Sequence, residues 1–210
     1  GFVVNAYPYF DPETHGLNFA GMLETLKSIP RGGIVILHAC CHNPTGVDLT
    51  EEQWKLVVDT VREGGLIPFL DFAYQGFGDG IDSDAFAVRA LAEAGVQFLI
   101  ANSFSKSFAL YRERVGALTV VTASAEESKR VLSQLKRVIR TNYSNPASHG
   151  AQIVNLILSN SEMRTHWEAE VAAMRSRIQE MRTRFVDKLR EKGVEQDFSF
   201  IQRQRGMFSY

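Results

Sequence analysis

Asn43, Asp71, Tyr74, Ser103, Ser105, Lys106 and Arg114 together cover nucleophilic, proton-handling and anion-binding chemistry. A lysine among small polar residues can form a Schiff base with a carbonyl once burial and a nearby cation lower its pKa. The Ser103 and Ser105 hydroxyls suit a phosphate, and Arg114 can grip one through a bidentate contact. Asp71 can hold a protonated ring nitrogen. A Schiff-base lysine with an acidic partner for a pyridinium nitrogen is the pattern of a pyridoxal phosphate site. Taken singly, each residue has a plainer reading. Lys106 could be solvated, Asp71 could cap a turn, and Asn43 could belong only to the turn that Pro44-Thr45-Gly46 completes. His38 on an apolar run could be a core histidine.

These residues matter together only if the chain brings them to one edge. Residues 34–40 form a continuous apolar run, as in a strand buried on both faces. A turn at residues 43–46 follows, then a helix announced by the capping box Thr50 and Gln53, with Trp54, Val57, Val58 and Val61 on one face. Residues 66–71 read as the next strand, although Pro68 argues against a central position. Ala87, Ala90, Leu91 and Ala94 mark another helix, and residues 97–102 a third strand. Helical crossovers of this size make the three strands parallel. Residues 115–121 read as a fourth strand, but the eight residues 107–114 are too few for a parallel crossover. The fourth strand is therefore expected antiparallel, which places Arg114 at the edge where the other three strands end. Ligands of open α/β sheets bind at that edge.

The remainder reads as helical. Ser124 and Glu127 mark a capped helix with Val131, Leu135 and Val138 on its buried face. A short apolar helix covers residues 151–158. Trp167, Val171, Met174, Ile178, Met181, Phe185 and Leu189 then recur every three or four residues. Their span predicts one helix of about 30 residues, near 45 Å at about 1.5 Å per residue. Residues 198–201 look like the start of a strand.

The 210 residues carry 45% apolar and 22% charged side chains, which excludes intrinsic disorder. A net charge of −1 argues against nucleic acid or an anionic membrane surface as partner. No apolar run approaches the length of a membrane span. The only cysteines, Cys40 and Cys41, are neighbours, which excludes a disulfide framework and suits a reducing, cytoplasmic setting. His38 and His42 flank them, yet ligands on successive strand positions would point to both faces, so no metal site is expected. Both ends of the sequence, at Gly1-Phe2-Val3-Val4 and at residues 206–210, look strand-like, which raises the question whether the chain is a whole protein.

The ordered motifs resemble the class I aminotransferases of the aspartate and aromatic type. They are His42-Asn43-Pro44-Thr45-Gly46, residues 71–77 from Asp71 to Phe77, residues 103–108 around Lys106 with residues 111–116, residues 142–146, and residues 205–210. The resemblance covers all 210 residues. It implies the large domain of a fold type I pyridoxal-phosphate transferase over residues 1–172. Residues 173–210 would complete a connecting helix and begin a small α/β domain, with further N- and C-terminal parts outside the chain.

The resemblance also implies roles. Lys106 matches the lysine that carries pyridoxal 5′-phosphate as a Schiff base and then shuttles the proton. Asp71 matches the carboxylate that keeps the pyridine nitrogen protonated. Tyr74 and Asn43 match the partners of the cofactor's phenolic oxygen, and Asn43 also a contact for the substrate carboxylate. Ser103, Ser105 and Arg114 match the phosphate cradle, and His38 a histidine behind the aspartate. Arg140 matches an arginine that reaches the neighbouring subunit's site in a homodimer and binds a dicarboxylate side chain. The wording of the motifs is closer to the bacterial aromatic-amino-acid enzymes, with 2-oxoglutarate and glutamate as the shared pair. The alternatives are an aspartate aminotransferase proper, or a non-catalytic dimerisation module that keeps only the packing.

Overall fold

A computed structural model describes residue 1 and residues 3–209. A short hairpin of β1 (Phe10–Asp11) and β2 (Gly16–Leu17) precedes α1 (Phe19–Ser28), whose first turn is capped by Asn18. The central sheet comprises β3 (Ile34–His38), β4 (Ile67–Phe72), β5 (Phe98–Ser103) and β6 (Gly116–Val121), in the spatial order β3-β4-β5-β6. The first three strands are parallel, and β6 runs antiparallel to β5, as the short connection requires. Between them lie α2 (Glu51–Gly64) and α3 (Phe86–Glu93). The capping box of Thr50 and Gln53 is formed in both directions, and Gly65 closes α2 in the left-handed conformation.

The register decides where the core sits. Val35 pairs with Pro68, and Leu37 with Leu70, which in turn pairs with Ile100. Partners in a ladder point to the same face. That face is buried under Met22 and Leu26 of α1, Trp54, Val57 and Val61 of α2, and Ala87 and Leu91 of α3. Pro68 is tolerated in an interior strand because it is the second residue of β4, where the ladder is only beginning.

Several expectations need correction. The first strand is not buried on both faces: Ile34 and Ile36 are 51% and 60% exposed, because α1 to α3 all cover the other side. It also ends at His38, two residues short of Cys40. Residues 198–201 are not a strand. Asp197 accepts hydrogen bonds from the backbone and hydroxyl of Ser199, and this turn starts a short helix, α7 (Phe200–Arg203). Val3, Val4 and residues 206–209 form no strand, and Phe2 and Tyr210 lie outside the described residues.

The remaining helices are α4 (Ala125–Asn142), α5 (His149–Ser159) and α6 (Ser161–Glu191). Ser124 caps α4, but Glu127 reaches back to the Ala123 amide rather than to that of Ser124. No residue of α4 is buried; Val131 and Leu135 are half-buried and Val138 is exposed. The 31-residue α6 has the expected length, but its inner stripe is turned. Arg182 and Val186 are buried, whereas Met174, Met181 and Phe185 are exposed. Among the described residues, no helix is long and apolar enough to cross a membrane.

Candidate active site

The carboxyl ends of β3, β4 and β5 deliver the expected residues to one edge. Asp71 lies in β4 directly across from His38 of β3 and Ala101 of β5. His38 and Asp71 therefore share the face of the sheet that α1 to α3 leave uncovered. Three residues beyond Asp71, Tyr74 is buried in the following turn. Lys106 stands in the turn after β5, with its Nζ 4.7 Å from the centroid of the Tyr74 ring. That is cation–π distance, so the phenol ring holds the amine at the mouth of the site.

Two carboxylates, Asp48 half-buried and Asp84 buried, shape the turns that carry these groups. Asp48 accepts from the amides of Cys41 and His42, at 2.6 and 2.8 Å. Asp84 accepts from the amides of Gly76, Gly78 and Asp79, at 2.7, 3.0 and 2.8 Å. Each acts as the missing half of a ladder, satisfying N–H groups where the strand has ended. Cys41 has a φ of 53°, which sends the chain away from the sheet toward Asn43, before a cis bond to Pro44. Gly46, at φ 68°, lies so close to the 204–208 segment that a Cβ would come within 2.6 Å of the Phe208 carbonyl oxygen.

The electrostatics follow from burial. Tyr74 is pushed above the usual tyrosine range by burial first, with the Asp71 charge adding to it and the Asn43 side chain opposing it through a hydrogen bond. Its hydroxyl thus stays protonated at neutral pH and can donate. His42 stacks on Tyr9, with centroids 3.9 Å apart, and contacts Thr45 Oγ1 at 2.9 Å through Nδ1. Burial, then the charge of His38 beside it, brings His42 down to about 4. The His38 Nδ1 is buried and has no hydrogen-bond partner among the described residues.

The anion-binding candidates take up the next turn. Ser103 Oγ accepts from the Ser105 amide at 3.2 Å, which leaves its own proton free to donate. Ser103 pairs with Gly116 of β6, so Arg114 is at this edge, as the antiparallel strand requires. It is exposed, and its Nη1 donates to the Tyr111 carbonyl at 2.8 Å. Arg140 stands elsewhere, exposed in the last turn of α4, where it bonds Ser144 Oγ beside Lys136 and Arg137.

The geometry bears on the metal question as well. Because β3 stops at His38, strand alternation does not separate the two cysteines. Ligand atoms of Cys40, Cys41 and Asp84 lie within 4.8 Å of one another. The Asp84 carboxylate is already engaged by three amides, and the hydrogen bond with Cys41, then burial, raises the Cys40 thiol.

Sequence reasoning did not single out Asp48, Asp84, Tyr9 or Phe208. Their signals were faint: two acids just after strand-end turns, and aromatics outside any periodic stripe.

Lysine, phenol, carboxylate and hydroxyl groups at one sheet edge fit a phosphorylated pyridine aldehyde: an amine for the carbonyl, an acid for the ring nitrogen, donors for the phosphate. The comparisons point to the same cofactor. A family model described as aminotransferase class I and II matches residues 1–210. The chain is 57% identical over 210 residues to an aspartate aminotransferase of Pseudomonas aeruginosa, covering all of this chain and 53% of that protein. It is 50% identical to the aromatic-amino-acid aminotransferase of Escherichia coli K12, again over 100% of this chain and 53% of that protein. Its fold matches the crystal structure of an aromatic-amino-acid aminotransferase from Burkholderia pseudomallei covalently bound to pyridoxal phosphate. That match has a TM-score of 0.99 at 58% identity, over 100% of this chain and 53% of the other. The chain thus spans about half the length of the relatives it matches, and it belongs to the class I and II aminotransferases, in the aspartate and aromatic subfamily.

Proposed function

We propose that the chain forms the cofactor-holding part of a pyridoxal 5′-phosphate-dependent aminotransferase that moves the amino group of an aromatic L-amino acid to 2-oxoglutarate. The observation that carries this is the Lys106 amine poised over the Tyr74 ring at the edge where Asp71 stands near the end of β4. Bound there, pyridoxal phosphate supplies a carbonyl for the lysine and an electron-withdrawing ring that disperses the charge left on the substrate's α-carbon.

The side chains of this chain do the rest. Lys106 Nζ is the nucleophile that holds the cofactor, and, once free, the base that takes the substrate's α-proton and returns it. The Asp71 carboxylate keeps a proton on the ring nitrogen. Tyr74 donates through its hydroxyl, and Asn43, whose side chain acts on that hydroxyl, orients it. Ser103 Oγ, with its free proton, Ser105 and Arg114 bind the phosphate. Swinging Arg114 onto a phosphate exchanges its present bond to the Tyr111 carbonyl for a charge-assisted one. His38 buttresses Asp71 from the neighbouring strand. Asn43 also receives the substrate carboxylate.

Arg140 fits a different place. Exposed among other cations on α4, it could exchange its bond to Ser144 for one in a second copy of the chain, where it would pair with the distal carboxylate of 2-oxoglutarate or glutamate. That makes the working form a homodimer with shared sites, in the cytoplasm. The same reading divides the chain into residues 1–172 of a large domain and 173–210 leading into a small one. An aspartate-preferring enzyme is the second reading, favoured by the 57% identity to the Pseudomonas aeruginosa relative.

The test is a donor panel. With 2-oxoglutarate as acceptor, the full-length protein should use tyrosine and phenylalanine with kcat/KM at least equal to that for aspartate. A clear aspartate preference would replace the first reading by the second. Turnover with no donor, despite bound cofactor, would leave a non-catalytic module.

A further inference from the structure

The inner stripe of α6 carries hydrogen-bond donors where packing alone would favour apolar side chains. Its members are Trp167, Val171, Arg175, Ile178, Arg182 and Val186, all buried or half-buried. At about 100° per residue they span an arc of about 100°, one face of the helix. The three that carry N–H donors each hold the backbone of a different loop. Trp167 Nε1 donates to the Ser107 carbonyl at 2.6 Å. Arg175 donates to the Gly76 carbonyl at 2.7 Å. Arg182 donates to the carbonyls of Gly206 and Phe208 at 3.0 and 2.6 Å, and also to that of Gln204.

Those carbonyls are not scattered over the fold. Ser107 follows Lys106, Gly76 lies two residues after Tyr74, and Phe208 stands edge-on to Tyr74 with ring centroids 6.1 Å apart. Trp167 is also stacked on Phe108 at 4.6 Å, and Phe104 packs edge-on to Phe108. A rigid helix thus touches the Lys106 turn and the Tyr74 turn at points eight residues apart along its axis. Relative to a hydrophobic side chain, a buried guanidinium costs desolvation, so Arg182 is an expensive way merely to pack a helix.

We propose that α6 is a positioning spine that sets the Lys106 amine and the Tyr74 ring in register: Trp167 and Arg175 hold carbonyls of the loops that carry them, and Arg182 holds the 204–208 segment whose Phe208 stands against the Tyr74 ring. This rests on the reading that Lys106 and Tyr74 serve one site. Trp167, Arg175 and Arg182 are positioning residues; none need touch a substrate.

Trp167→Phe tests it with little collateral change, because phenylalanine keeps an aromatic ring against Phe108 and removes the N–H. The readout is the pH dependence of Lys106 modification by trinitrobenzenesulfonate in the full-length, cofactor-free protein, resolved by peptide mapping. The expected result is a midpoint displaced by about half a pH unit. A kcat lowered about tenfold, with KM within about twofold, should accompany it. Arg177→Gln, on the opposite and exposed face of α6, should leave both unchanged. A Trp167→Phe profile and kcat that match the parent protein would overturn the spine. A displaced midpoint in a protein that turns over no amino donor would keep the spine and overturn the aminotransferase reading instead. If Trp167→Phe does not fold, Arg182→Lys decides by the same Lys106 profile, since an ammonium cannot reproduce the fork of contacts to Gly206 and Phe208.

Discussion

The Lys106 Nζ lies 4.7 Å from the centroid of the Tyr74 ring, although the two residues come from turns after different strands. The phenol is buried, and its hydroxyl is kept protonated by that burial and by the charge of Asp71. One face of a single side chain thus places the amine while its polar end remains a donor.

Tyr74→Phe separates these two contributions. The ring and its contact with Lys106 survive, so thermal stability should change by less than about 1 kcal/mol. The lost hydroxyl should weaken retention of pyridoxal phosphate by about tenfold, the value of one hydrogen bond to a charged group. Equilibrium dialysis of both proteins, alongside a thermal melt, reads both effects.

Asp84 should be costly to remove. Its carboxylate satisfies the amides of Gly76, Gly78 and Asp79 in a buried turn. Asp84→Ala should destabilise the protein by about 3 kcal/mol or more, because the amides are left buried without partners. Urea unfolding measures it, and Asp84→Asn, which keeps an acceptor oxygen, should lose less.

His42 should make stability fall in mild acid. Its native value is lowered to about 4 by burial and by His38. The unfolded chain then binds the proton more readily than the native one between about pH 6.5 and 4, so this contribution is complete above 6.5 and declines as pH drops toward 4. The expected loss is at most about 3 kcal/mol, from about 1.36 kcal/mol per pH unit of displacement. Unfolding curves at several pH values should show a shallower slope in His42→Phe.

Arg140→Ala should act on one class of substrate. In the full-length protein it should lower kcat/KM for aspartate and 2-oxoglutarate by about a hundredfold, the cost of an unpaired carboxylate, and that for aromatic donors by far less. Equal losses in steady-state assays of both classes would remove Arg140 from the substrate pocket.

Much of the sheet was legible in the sequence because local signals agreed. The capping box at Thr50, the buried runs at β4 and β5, and the short link before β6 each dictate one structural choice, and together they bring Asp71, Lys106 and Arg114 to one edge. What was not legible depended on contacts between distant segments. The apolar pattern of β3 implied cover on both faces, yet Ile34 and Ile36 are open in this chain. In α6 the methionines and Phe185 fit the helical period as well as the true inner stripe does. Arginine wins the inner face at position 182 only because three carbonyls from residues 204–208 meet it there. Residues 198–201 alternate like a strand, but the turn made by Asp197 and Ser199 commits them to a helix.

The most direct measurement is to incubate the protein with pyridoxal phosphate, reduce with borohydride and map the modified peptide. The expected result is a single label on Lys106, lost in Lys106→Ala and strongly reduced in Asp71→Ala. A folded protein that takes no label, or takes it on other lysines and equally in Lys106→Ala, would contradict the site assigned to this sheet edge.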